Sequence, residues 1–143
     1  MTERRQARIL AMQALCQLEV LGADFLAQLD DFLADDAPAQ GVRDYAGALV
    51  RDAWQNFEHH DSLIQQSAEH WEIKRMAVVD RNTLRVAACE LLLRPELPPA
   101  VVINEAIEIA REFGTAESAG FINGVLDALR TRHEAERKSL QPE

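Results

Sequence analysis

The chain has 143 residues, 48% of them hydrophobic, six glycines, five prolines and a formal net charge of −9. That length fits one domain with a real core, and abundant Ala, Leu, Glu and Arg predict an all-α fold, excluding a sheet with many turns. The acidity excludes a nonspecific nucleic-acid binder, whose affinity comes almost wholly from Lys and Arg on phosphates, and no apolar run reaches the ~20 residues that span a bilayer.

The first predicted helix covers residues 2–21, with Thr2 as its N-cap and Gly22 as its stop. Ala7, Leu10, Ala14 and Leu18 fall on one face; Ile9, Met12, Cys16 and Val20 form a second apolar stripe. Two apolar faces call for two neighbours: the core, and either another helical layer or a separate protein. The helix opens with Arg4, Arg5 and Arg8, which share an arc of roughly 100°.

A short acidic helix over 24–33 is predicted to give way to a break at Asp35, Asp36 and Pro38. Helices follow over 42–57, carrying Tyr45, Leu49, Ala53 and Phe57 on one side, and over 61–71, capped by Asp61. The fifth helix, 80–93, has a core stripe at Leu84, Ala87, Ala88 and Leu91, the i, i+3, i+4, i+7 pattern. Pro98 and Pro99 open the sixth, which buries Val102, Ala106, Ile109, Ala110 and Phe113 and closes at Gly114. The last starts near Thr115 or Ser118 and packs through Ile122, Val125, Leu126 and Leu129. The expectation is a compact bundle of about seven helices over residues 1–132, with 133–143 a flexible tail lacking an apolar face.

No catalytic constellation stands out, so the chain reads as a protein that is not an enzyme and takes no cofactor. His59, His60, Asp61 and His70 lack ligand spacing for a metal, and neither GxGxxG nor GxxxxGK[ST] occurs. Cys16 and Cys89 lie inside apolar patterns and read as reduced thiols of a cytoplasmic protein. The N-terminus lacks the apolar core of a secretory signal.

Several polar residues have two readings each. Arg4, Arg5 and Arg8 either solvate a helix start or meet a phosphate track and unpaired bases, and positive charge there opposes the macrodipole. Arg81 and Arg85 read as structural, tying carboxylates such as Glu90 or those of neighbouring helices. Asn104 and Glu105 read as bonding to the preceding loop, against contact with RNA. Gly124, costly inside a helix, suggests close approach by a neighbouring helix or an RNA backbone. Phe121 either staples the core or stacks on a base.

Three blocks carry a family resemblance. One is Val101 to Gly114 followed by Ser118-Ala-Gly-Phe-Ile-Asn-Gly-Val-Leu-Asp127. Another joins Trp71, Arg75 and the run from Asp80 and Arg81 through Arg85 to Glu90-Leu91; the last is Arg4-Arg5-Gln-Ala-Arg8 leading into Met12-Gln-Ala-Leu15. Together they span nearly the whole chain, which resembles the NusB family of bacterial transcription antitermination factors. The resemblance implies an all-helical fold of two small helical sub-bundles. It implies a role in which the protein pairs with NusE, a small-subunit ribosomal protein, and holds single-stranded boxA RNA of ribosomal RNA operons. The pair then joins other Nus factors on RNA polymerase.

Carried over by residue, the resemblance assigns RNA binding to Arg4, Arg5, Arg8, Glu117, Ser118, Phe121 and Asn123, and partner binding to Cys16, Val20 and Asp80. The family often has tyrosine where this chain has Cys16 and Cys89, and at Cys16 the change removes aromatic area from the partner surface. Two other classes of function stay open. One is a diverged NusB-fold interaction module, homodimeric through Ile9, Cys16 and Val20, without RNA binding; the other is the RNA-positioning domain of a methyltransferase.

Overall fold

A computed structural model describes residues 2–36 and 39–140. Of the predicted break, Asp35 and Asp36 lie within a helix, and Pro38 lies outside the described residues. Among the described residues seven α-helices follow in order: α1 Glu3–Leu21, α2 Leu29–Asp36, α3 Gln40–Gln55, α4 Phe57–Ser67, α5 Val78–Leu93, α6 Pro99–Phe113 and α7 Ser118–Leu140. Short 3-10 turns occupy Ala23–Gln28 and Ile73–Arg75, so the predicted helix over 24–33 is a 3-10 turn running into α2. No strand occurs among the described residues, and none of their helices is long and apolar enough to cross a membrane.

The ends of α1 follow the sequence signals. Thr2 Oγ1 accepts the Arg5 backbone N–H at 3.1 Å, and Gly22, at φ +78°, takes the left-handed region in which glycine carries no Cβ penalty. The start of α4 does not follow them. The chain turns at Asn56, whose amide donates to the Asp52 carbonyl at 2.8 Å, so α4 begins at Phe57 and the expected cap Asp61 sits within it.

Two hydrophobic cores result. The first joins α1, α2 and α3 through Leu10, Leu18, Leu33, Leu49 and Val50; the second joins α4, α6 and α7 through Ile64, Val102, Ala106, Ile122 and Leu126. Helix α5 serves both. Val86 and Cys89 face the first core, whereas Leu84, Ala87 and Ala88 face the second. A helix with two apolar faces needs a neighbour on each, and α5 lies between the sub-bundles for that reason. The second apolar stripe of α1 is therefore partly used: Ile9 and Met12 are buried, Cys16 lies at the margin, and Val20 is 81% exposed.

The last helix runs eight residues past the expected end at Arg132. An Arg130–Glu134 pair at 3.0 Å, one turn apart, supports this stretch locally, and every side chain from Glu134 to Leu140 is exposed.

Candidate functional site

The three N-terminal arginines do not share one solvent face. Arg8, one turn beyond Arg4, points inward beside Ala7 and Ala11 and is 3% exposed. Its Nε donates to Glu90 Oε1 on α5 at 2.7 Å, and its Nη1 lies 3.6 Å from Glu105 Oε1 on α6. Arg5, a third exposed, donates from Nε to Glu105 Oε2 at 2.6 Å, and that bond holds its charged form more firmly than usual. The exposed Arg4 places its guanidinium over the ring of Tyr45 on α3, 3.7 Å from the centroid. Tyr45 in turn donates its hydroxyl to Glu90 Oε2; burial, reinforced by that carboxylate, pushes the phenol up to about 12, so it stays a donor.

These contacts reassign two residues. Glu105 bonds the α1 arginines rather than the loop before α6, while Asn104 is exposed. Glu90 takes Arg8, and the structural pair Arg81 and Arg85 goes elsewhere. Arg81 grips Glu19 through Nε and Nη2 at 2.6 and 2.7 Å; Arg85 bonds Glu19 and also Asp61, at 2.9 and 2.6 Å. Asp61 is thus a cross-link between α4 and α5, not a helix cap.

Arg81 also donates to the carbonyls of Ile73 and Met76, at 3.1 and 3.0 Å. Gln65 holds the same connection from the other side, donating to the Trp71 carbonyl at 2.8 Å and accepting the Ile73 N–H at 2.9 Å. The pinned loop sets the exposed Trp71 edge-on to Phe121 at the start of α7, with centroids 5.9 Å apart and planes at 75°. Both rings wall a cleft of about 190 Å³, which Arg75, Asp80, Glu117 and Ser118 complete.

Ser118 and Glu117 differ in role. Ser118 is buried, and its Oγ accepts the Thr115 N–H at 2.9 Å, closing the turn into α7. Gly114 is needed for that turn, because a Cβ there would meet Ser118 Oγ at 2.5 Å. Glu117 and Asn123 are exposed, and Phe121 is half-buried. An added Cβ at Gly124 would meet nothing within 4 Å, so no neighbouring helix explains that glycine. Trp71 and Arg75 served only as landmarks in the sequence. Only the long-range pairing of the 68–77 loop with Phe121 brings them to the cleft.

The partner residues divide between two places. Cys16 Sγ accepts from Asn82 Nδ2 at 3.4 Å and lies 4.0 Å from the Val78 carbonyl, beside the exposed Val20, Leu21 and Val78. Asp80 instead lines the Trp71–Phe121 cleft, where its Oδ1 is buried without a hydrogen-bond partner. Both thiols are free; burial pushes Cys16 up and Cys89 up to about 12, which keeps them protonated and unreactive. No group of three or more His, Cys, Asp and Glu side chains among the described residues could hold a metal ion.

The NusB family model matches residues 5–131, from Arg5 through the cleft-forming start of α7. The chain belongs to the NusB family. It is a family of transcription antitermination proteins and not of enzymes. The transcription antitermination protein NusB of Desulfatibacillum aliphaticivorans is 40% identical over 139 residues, covering 97% of each chain. That of Koribacter versatilis is 44% identical over 138 residues, covering 94% of this chain and 93% of its own. Among solved structures, NusB of T. maritima superposes with a TM-score of 0.85 at 35% identity over 99% of both chains. A NusB crystallised with NusE and double-stranded RNA superposes with a TM-score of 0.81 at 26% identity, over 92% of this chain and 98% of its own. The NusB fold of two sub-bundles is thus shared along nearly the whole chain.

Proposed function

We propose that this chain is a transcription antitermination factor that acts with NusE in the cytoplasm. The pair would hold single-stranded boxA RNA of ribosomal RNA operons and join other Nus factors on RNA polymerase. The observation that carries the pairing with NusE and RNA is the likeness over 92% of the chain to a NusB crystallised with NusE and double-stranded RNA. Two surfaces support it. Arg4 and Arg5 at the start of α1, Phe121 and Glu117 at the cleft, and Asn123 further along α7 are accessible to a single strand. Arg8 and Ser118 act from inside, holding the start of α1 and of α7. Val20 and Cys16 offer an apolar margin to the protein partner, and Asp80, at the start of α5, lies apart from them in the Trp71–Phe121 cleft.

A chain of net charge −9 with Arg5 and Arg8 already paired to carboxylates needs positive charge from elsewhere to hold RNA tightly. Fluorescence anisotropy of a labelled boxA-type RNA with the chain alone, NusE alone and both, at two salt concentrations, tests the proposal. Tight, salt-sensitive binding only in the mixture is expected; no binding in the mixture by a folded chain overturns it. The exposure of Val20 also favours a second reading, a homodimeric interaction module without RNA, for which a monomer at high concentration would be fatal.

A further inference from the structure

We propose that Tyr45 is a positioning residue for RNA: its ring carries the Arg4 guanidinium so that the N–H edge meets a phosphodiester of a bound single strand. The inference rests on the RNA-binding reading above and adds a residue on α3 to it.

Arg8 is buried against Glu90, and Arg5 is held by Glu105, with Glu108 and Glu112 further along α6 adding to the negative field around it. Arg4 is the member of the trio with no carboxylate partner among the described residues, so its charge is the one most available to a phosphate. A free arginine side chain must surrender rotamer freedom when it binds, whereas one already lying on an aromatic face has surrendered much of it. Tyr45 supplies that face, 3.7 Å from the guanidinium carbon. The ring is itself fixed, since its hydroxyl is tethered to Glu90, which is 1% exposed and gripped by Arg8. The relay from Arg4 through Tyr45 and Glu90 to Arg8 thus anchors a surface cation to the core. Beside it opens a cleft of about 170 Å³ lined by Glu3, Arg4, Ala7, Gly41, Val42 and Tyr45, room for a strand to approach the free edge.

The test is anisotropy of a boxA-type single strand with the chain and NusE together, comparing R4Q, R4K, Y45L, Y45F and the R4Q/Y45L double variant. Y45L should weaken binding up to about five-fold, the range of an exposed cation–π contact, and Y45F, which keeps the aromatic face but loses the hydroxyl tether to Glu90, should recover only part of that loss. R4K should bind about as weakly as Y45L, because an ammonium keeps the charge but not the flat stacked geometry. R4Q should lower the salt slope by about 0.7, one phosphate contact on a single strand. The double variant should bind no more weakly than R4Q. Binding by R4K equal to the unmodified chain, or additive losses in the double variant, overturns the role of Tyr45; the R4K arm does so even if Y45L fails to fold. Absence of binding by the unmodified pair sinks the RNA reading itself, and this inference with it.

Discussion

Arg8 and Glu90, 82 positions apart in the chain, form an ion pair with Nε 2.7 Å from Oε1 and side chains only 4% and 1% exposed. The pair lies where α1 of the first sub-bundle meets the shared α5. Two charges out of water persist because each satisfies the other and Glu90 also accepts the Tyr45 hydroxyl.

Breaking that pair should be costly. Arg8→Met leaves Glu90 buried without its cation and should cost roughly 3–5 kcal/mol, with much of the loss recovered in R8M/E90L. Chemical denaturation measures both; a loss below about 1 kcal/mol for R8M would mean that the pair behaves as a surface bridge.

Stability should fall in acid through Glu19. Burial alone would raise its carboxyl, but the Arg81 hydrogen bond and the charges of Arg81 and Arg85 outweigh it and hold the group below its ordinary value of 4.5. A depressed folded value means that the stabilisation is present above the unfolded value and is lost as pH falls through the folded one. Urea titrations from neutral pH to about pH 3 should therefore show a steeper acid decline for the unmodified chain than for Glu19→Gln; parallel declines would remove Glu19 as a cause.

Gly114, before α7, and Gly124, within it, should respond oppositely to alanine. Gly114→Ala forces a Cβ to 2.5 Å from Ser118 Oγ and 2.8 Å from the Ala110 carbonyl, and should destabilise by about 1–3 kcal/mol. Gly124→Ala, with open space around it, should stabilise by about 0.5–1 kcal/mol. Thermal melts decide both. If Gly124 is there for an approaching RNA backbone, G124A should also weaken RNA binding by the NusE pair while raising the melting temperature.

Val20 separates folding from partnership. At 81% exposure, Val20→Asp should leave stability within about 0.5 kcal/mol while weakening capture of NusE in a titration. Unchanged capture would move the partner surface away from this end of α1.

The sequence by itself determined the helices and their buried stripes. Period and caps are local properties: Thr2 and Gly22 mark α1, and Leu84, Ala87 and Ala88 on α5 and Ile122, Val125, Leu126 and Leu129 on α7 are buried as their spacing required. It also carried the family, through motifs spread along the chain. Where a helix had no strong cap the boundary slipped, as at Asn56, and where local pairs replaced an apolar face the last helix ran on to Leu140. Only the tertiary structure decided which partner each charge took. The arc of Arg4, Arg5 and Arg8 is a property of one helix, but their sorting into a stacked, a bridged and a buried guanidinium depends on Tyr45, Glu105 and Glu90, which other helices bring from far along the chain. The same holds for Trp71 and Phe121, 50 positions apart, which meet only because Gln65 and Arg81 pin the loop between α4 and α5. Helical period specifies which way a side chain points, and packing between helices specifies what it meets.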